Sequence, residues 1–173
     1  EGWRVSLTTL MNERMAIGGG IATGFPEIQA LVEELHVATG TAIDNPAVKS
    51  KLADWYAKSA GLKNTGARAI SALSKGEIPG PENSIGKLVA GGMMQDIAKF
   101  AVDLQGLGGL VTDPAIARSQ AQIQAMLMRS PAVRIEGGTD QILRNIIAER
   151  VLGLPEDMRA DKGIAFSQIP TGV

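Results

Sequence analysis

The residues of this chain best suited to chemistry lie in Arg134-Ile135-Glu136-Gly137-Gly138-Thr139-Asp140-Gln141-Ile142. Two consecutive glycines make a turn with no side chains in the way of a flat ligand. Thr139 or Asp140 can cap the helix that follows. A helix start presents free backbone N–H groups and the positive pole of the helix dipole, which suits an anion or the polar edge of a cofactor. The same residues also describe an ordinary helix start in which glycine merely supplies the turn. Other chemistries are excluded by composition. There is no cysteine, so disulfides, zinc–thiolate sites and a thiol nucleophile are ruled out. The one histidine, His36, excludes a His-rich metal site, and no metal is expected. No acid or nucleophile with a supporting motif accompanies His36, which is expected at the surface or in an interface.

A folded chain must position these candidates, and the composition supports one. The 173 residues are 45% apolar and 20% charged, which fits one globular domain able to bury a core without staples. Lys and Arg number 17 against 18 Asp and Glu, a net charge of −1, so there is no electrostatic case for nucleic acid or an anionic membrane. No apolar run approaches the roughly 18 residues of a membrane span, and there is no signal-like start, which together predict a cytoplasmic protein. The chain begins Glu1-Gly2-Trp3 rather than with Met, as expected of a processed chain or a piece of a longer one.

The positioning elements read as helices almost throughout, because apolar residues recur at three and four and period-two alternation is missing. A first helix is expected from near Trp3 through Val5, Leu7, Leu10, Met11 and Ile17 until Gly18-Gly19-Gly20 weakens it. Pro26 restarts a helix with Ile28, Leu31, Val32 and Leu35 on one face. Asn45-Pro46 opens a long helix carrying Val48, Leu52, Trp55, Tyr56, Leu62, Ile70 and Leu73, which Gly76 stops. After the turn Ile78-Pro79-Gly80-Pro81-Glu82-Asn83, Ser84 is expected to cap a helix with Met93, Met94, Ile97, Phe100 and Leu104. Asp113-Pro114 is expected to start the next, through Ile123, Met126 and Leu127 to Arg129, with Pro131 beyond its end. The last runs from Thr139 or Asp140 to Leu152. Met93-Met94 and Met126-Leu127-Met128 are expected in the core, and Lys75, Lys87 and Arg144 in solvent. The expected architecture is all-α, an antiparallel bundle of about five or six helices over residues 1–155, with residues 156–173 a loose tail.

Three stretches in order resemble the acyl-CoA dehydrogenase family. Gly138-Thr139-Asp140-Gln141-Ile142, leading to Ile147-Ala148-Glu149-Arg150-Val151-Leu152, is similar to the family's C-terminal signature of a Gly-Thr-x-x-Ile turn and an Ile-Ala-x-x-Val-Leu helix end. Gly2-Trp3-Arg4-Val5 and Asn12-Glu13-Arg14-Met15-Ala16-Ile17-Gly18 resemble its first C-terminal-domain helix. Pro79 to Leu88 resembles the loop and helix start of many bacterial members. The resemblance spans about residues 2–155 and implies that this chain is only the C-terminal bundle of a three-part enzyme. Such enzymes bind FAD and form a trans-2,3 double bond in an acyl-CoA thioester, the step that opens fatty acid breakdown. A carboxylate removes the α-proton and the β-hydride passes to flavin N5. Alone, the chain is then expected to be inactive.

The resemblance also implies roles for particular residues. The family carries its catalytic Glu either just before the Gly-Thr of the turn, here Gly137, or on the first helix before an Arg, here Glu13 followed by Arg14. Glu at one place and Gly at the other implies Glu13 as the base and Gly137 as a position beside substrate. Read without the resemblance, Glu13 is a solvated helix residue paired with a neighbour. Glu136 is the rival base, reaching the site if the turn holds an extra residue. Gly138, Thr139 and Gln141 match positions that meet FAD, though capping alone would account for Thr139. Arg14 matches a residue that contacts the CoA part of the substrate; a surface ion pair is the alternative. The Arg-x-x-Phe-Gly motif that reaches the neighbouring subunit's FAD is missing between Asp44 and Tyr56. The Gln-x-x-Gly-Gly loop that also meets FAD across the dimer has its counterpart within Asp103-Leu104-Gln105-Gly106-Leu107-Gly108-Gly109. Family members are homo-oligomers, usually tetramers built as dimers of dimers, that pass electrons to an electron-transfer flavoprotein or another acceptor; here a hetero-oligomer is also possible. The competing expectation is a non-catalytic helical assembly module of the same fold.

Overall fold

A computed structural model describes residues 2–20, 23–38, 40–77, 80–156, 158–159, 161 and 163–169. Glu1, Ile78, Pro79 and part of the expected tail lie outside the described residues, as do the side chains of Met11 and Ile17. Six α-helices occur among the described residues: α1 (Gly2–Gly20), α2 (Phe25–Glu34), α3 (Pro46–Ser74), α4 (Asn83–Leu104), α5 (Gln122–Val133) and α6 (Asp140–Ile146). The all-α expectation holds. One addition is a short antiparallel pair, β1 (His36–Val37) with β2 (Gly40–Thr41), where His36 faces Thr41. His36 is exposed there, as expected.

Helix starts follow local chemistry. Pro26 sits in the first turn of α2. The Asn45 side chain accepts from Ala47 N–H at 2.9 Å with Pro46 opening α3, the preferred pairing of cap and first-turn Pro. Three expectations fail. Ser84 is not a cap but lies inside α4, buried. Asp113-Pro114 makes only a single turn, in which Asp113 bonds Ala115 N and Ala117 N. α5 starts later, at Gln122, after Ser119, Gln120 and Ala121 have taken left-handed conformations. Pro131 lies within α5 rather than beyond it. Its absent N–H would leave the Leu127 carbonyl unpaired, and the Ser130 hydroxyl donates to that carbonyl at 2.9 Å instead.

α4 is the centre of the bundle, with α1, α3 and α5 packed on it. The main core joins Ile28, Leu31 and Val32 of α2 to Val48 and Trp55 of α3, Met93, Ile97 and Ala101 of α4, and Ile123 of α5. Trp55 meets Phe100 edge-on, ring centres 5.3 Å apart, a favoured aromatic geometry. Met93 and Met94 are buried as expected, whereas Met128 is exposed, and so are Tyr56, Ile70 and Leu73 of the expected α3 face. The core therefore occupies the half of the bundle holding α2 and the first half of α3. The opposite half carries the polar groups described below. Ile97→Ala, which opens a cavity at a fully buried position, is expected to cost about 2–5 kcal/mol. Ile70→Ala on the exposed face is expected to stay within about 0.5 kcal/mol. Urea midpoints compare the two, and similar losses would place the core elsewhere.

Candidate functional site

Residues 134–139 form the connection between α5 and α6, and two cations hold its glycines. Arg14 Nε of α1 donates to the Gly137 carbonyl at 2.7 Å. Lys87 Nζ of α4 donates to the Gly138 carbonyl at 2.7 Å. Arg14 is 9% exposed and Lys87 fully buried. Gly137 and Gly138 have φ of 66° and 112°, a region where side-chain-bearing residues are strained. A Cβ on Gly138 would also stand 3.3 Å from Arg14 Nη2. The turn is thus glycine for backbone and packing reasons together. Burial pulls the Arg14 guanidinium below its ordinary pKa, the like charge of Arg150 adds to that, and Glu13 opposes it. Burial also pulls Lys87 down, while Asp140 and Glu136 hold it up, Arg14 lowers it and Glu13 raises it.

Three carboxylates surround the turn, and two are committed. Arg129 Nη2 holds both oxygens of Glu136, at 2.8 and 2.7 Å. Arg134 grips Asp140 Oδ2 through Nε at 2.7 Å and Nη2 at 2.6 Å, and reaches Gln95 Oε1 at 2.6 Å. Asp140 Oδ1 is buried with no hydrogen-bond partner among the described residues. Glu13 is half-buried, and among the described residues no ion pair holds it. Its neighbour Arg14 is turned to the Gly137 carbonyl instead.

The structure gathers Glu13, Arg14, Glu136, Gly137, Gly138 and Thr139, residues from the two ends of the sequence, at one place. Thr139 Oγ1 caps α6 by accepting from Ile142 N–H at 3.3 Å, leaving its own hydrogen free to donate. Gln141 is exposed on the first turn of α6. A side-chain-free turn, a hydroxyl donor and an open carboxamide fit the polar edge of a flavin or its ribityl chain. In the loop Gln105-Gly106-Leu107-Gly108-Gly109, Gly109 has a packing reason of its own: a Cβ there would collide with the Val102 carbonyl. A cavity of about 780 Å³ lies nearby, between the second half of α3, the start of α4 and the π-turn Ile147–Val151. None of the expected site residues lines it.

Lys87, expected in solvent, is the residue that sequence reasoning missed. The signal was present: Ser84, Lys87, Gly91, Met94, Ala98 and Ala101 recur at three and four, and all are buried. Lys75 and Arg144 are exposed as expected. The Arg134–Asp140 and Arg129–Glu136 pairs had no signal beyond their proximity along the chain.

Residues 1–152 match the family described as acyl-CoA dehydrogenase, C-terminal domain. The acyl-CoA dehydrogenase IpdE1 of Mycolicibacterium smegmatis is 32% identical over 159 residues, which cover 92% of this chain and 38% of that protein. The fold is similar to a chain of the ChsE4–ChsE5 complex from Mycobacterium tuberculosis, with TM-score 0.70, 23% identity, and coverage of 91% of this chain and 41% of that one. It is also similar to a glutaryl-CoA dehydrogenase from Mycobacterium smegmatis in complex with FADH2, with TM-score 0.71, 18% identity, and coverage of 88% and 39%. The chain thus spans well under half the length of these relatives. It belongs to the acyl-CoA dehydrogenase family, whose C-terminal helical domain it represents.

Proposed function

We propose that this chain supplies the base and part of the substrate and flavin site of an FAD-dependent acyl-CoA dehydrogenase, with Glu13 removing the α-proton of an acyl-CoA thioester. The observation that carries this reading is the 2.7 Å bond from Arg14 to the Gly137 carbonyl, which brings the Glu13–Arg14 pair of α1 against the glycine turn. A general base must have a free carboxylate within reach of the proton it takes. Glu136 has both oxygens on Arg129 and Asp140 is gripped by Arg134, which supports Glu13 over its rival. Two free carboxylates at one carbon would repel and raise one pKa; guanidinium pairing of the others avoids this.

Gly138, Thr139 and Gln141 are proposed to meet FAD at the start of α6, through backbone N–H groups, a hydroxyl and a carboxamide. When bound, FAD supplies the acceptor for the β-hydride. Gly137 would lie beside the thioester with no side chain of its own, and Arg14 fixes the turn through the Gly137 carbonyl, a role in addition to any contact with CoA. A homo-oligomer or hetero-oligomer fits the large exposed apolar residues Trp3, Val5, Tyr56 and Ile142, and an electron-transfer flavoprotein or similar acceptor would reoxidise the flavin. The chemistry balances: the substrate loses a proton to Glu13 and a hydride to the cofactor, leaving a carbon–carbon double bond.

Full-length protein is expected to be yellow and to bleach with an acyl-CoA; colourless protein that FAD cannot reconstitute would favour a helical assembly module without catalysis. Glu13→Gln is expected to slow flavin reduction by at least about 100-fold, read by stopped-flow absorbance. Glu136→Gln should lose far less, and the reverse ranking would hand the role of base to Glu136.

A further inference from the structure

Lys87 is a fully buried cation on the central helix, and the function argued above does not use it. Its hydrogen bond goes to a backbone carbonyl, Gly138 O at 2.7 Å, and no ion pair holds it among the described residues. The opposing charge that acts on it most, Asp140, is engaged by Arg134. A buried lysine kept only for stability would be expected on a carboxylate, because a buried charge needs an opposite one.

The peptide planes explain what this contact does. No cis peptide bond occurs among the described residues, so each C=O and the following N–H point in opposite directions. Drawing the Gly138 carbonyl to Lys87 therefore turns the Thr139 N–H away from Lys87. Drawing the Gly137 carbonyl to Arg14 turns the Gly138 N–H away from Arg14. The two glycines have no side-chain preference to hold either plane by themselves. We infer that Lys87 is a positioning residue: with Arg14 it sets the two peptide planes of the Gly137–Gly138 turn, and so aims the Gly138 and Thr139 N–H groups at an electron-rich oxygen or nitrogen of the bound substrate or cofactor. This inference rests on the dehydrogenase reading above.

The test uses the full-length holoenzyme. Lys87→Met keeps the apolar stem and removes the donor. It is expected to retain the circular dichroism and FAD content of the parent while flavin reduction by acyl-CoA slows about 100-fold, the scale of a small misplacement at a reacting centre. The loss should fall on kcat with KM little changed, and the visible flavin band should shift. Lys87→Arg, which keeps a charged donor, is expected to recover most of the rate. A Lys87→Met enzyme as fast as the parent overturns the inference, and so does a Lys87→Arg enzyme no faster than Lys87→Met. Should Lys87→Met fail to fold, Lys87→Gln takes its place under the same two readings. A parent whose flavin acyl-CoA does not reduce defeats the dehydrogenase reading itself.

Discussion

Two hydrogen bonds, from Arg14 to the Gly137 carbonyl and from Lys87 to the Gly138 carbonyl, tie the glycine turn to α1 and to α4. One spans 123 positions and the other 51. Each removes a cation from water, which is costly unless the group finds strong acceptors. Backbone carbonyls beside three carboxylates supply them. The arrangement makes the turn before α6 depend on the packing of α1 and α4, so the geometry of the site is inherited from the bundle.

The bundle is accordingly divided. Apolar side chains of α2, α3, α4 and α5 interlock in the half around Trp55 and Ile97. The other half of α4 is lined by Ser84, Gly86, Lys87 and Gly91, small or polar residues on the same buried face. Small residues let the α5–α6 connection approach closely: a Cβ on Gly91 would already touch Val133 and Arg134. The apolar packing lies in the first half and the proposed site in the second, where burial disfavours the charged forms of Arg14 and Lys87. One helix serves both because its buried stripe changes composition along its length.

Much of this was legible in the residues. Pro26, Asn45-Pro46 and Thr139 mark helix starts because their effects are local: a fixed φ, or an oxygen two or three residues from an orphan N–H. The turn and its glycines were legible for the same reason. Pro131 and Asp113-Pro114 misled because the deciding groups are tertiary or accidental in sequence. Ser130 satisfies the carbonyl that Pro131 leaves open, and the left-handed run Ser119–Ala121 postpones α5. Lys87 misled because residue type was weighed above spacing. Its charge suggested solvent, while its place on the stripe of α4 demanded burial, and only the distant glycine carbonyl reconciles the two.

The backbone also bears on where a base can stand. Gly137 has φ of 66°, a conformation that costs an ordinary residue about 1–2 kcal/mol. A glutamate there would carry that strain and bring a further carboxylate to a turn already flanked by Glu13, Glu136 and Asp140. Arg129 and Arg134 are engaged by the latter two, Arg14 by the carbonyl, and the Arg150 charge already acts on Arg14. A carboxylate delivered from α1 avoids both penalties. A helix position fixes its backbone without strain, and its neighbour Arg14 anchors that helix to the glycine turn. Glycine at 137 and the proposed base at Glu13 are therefore compatible with one geometry.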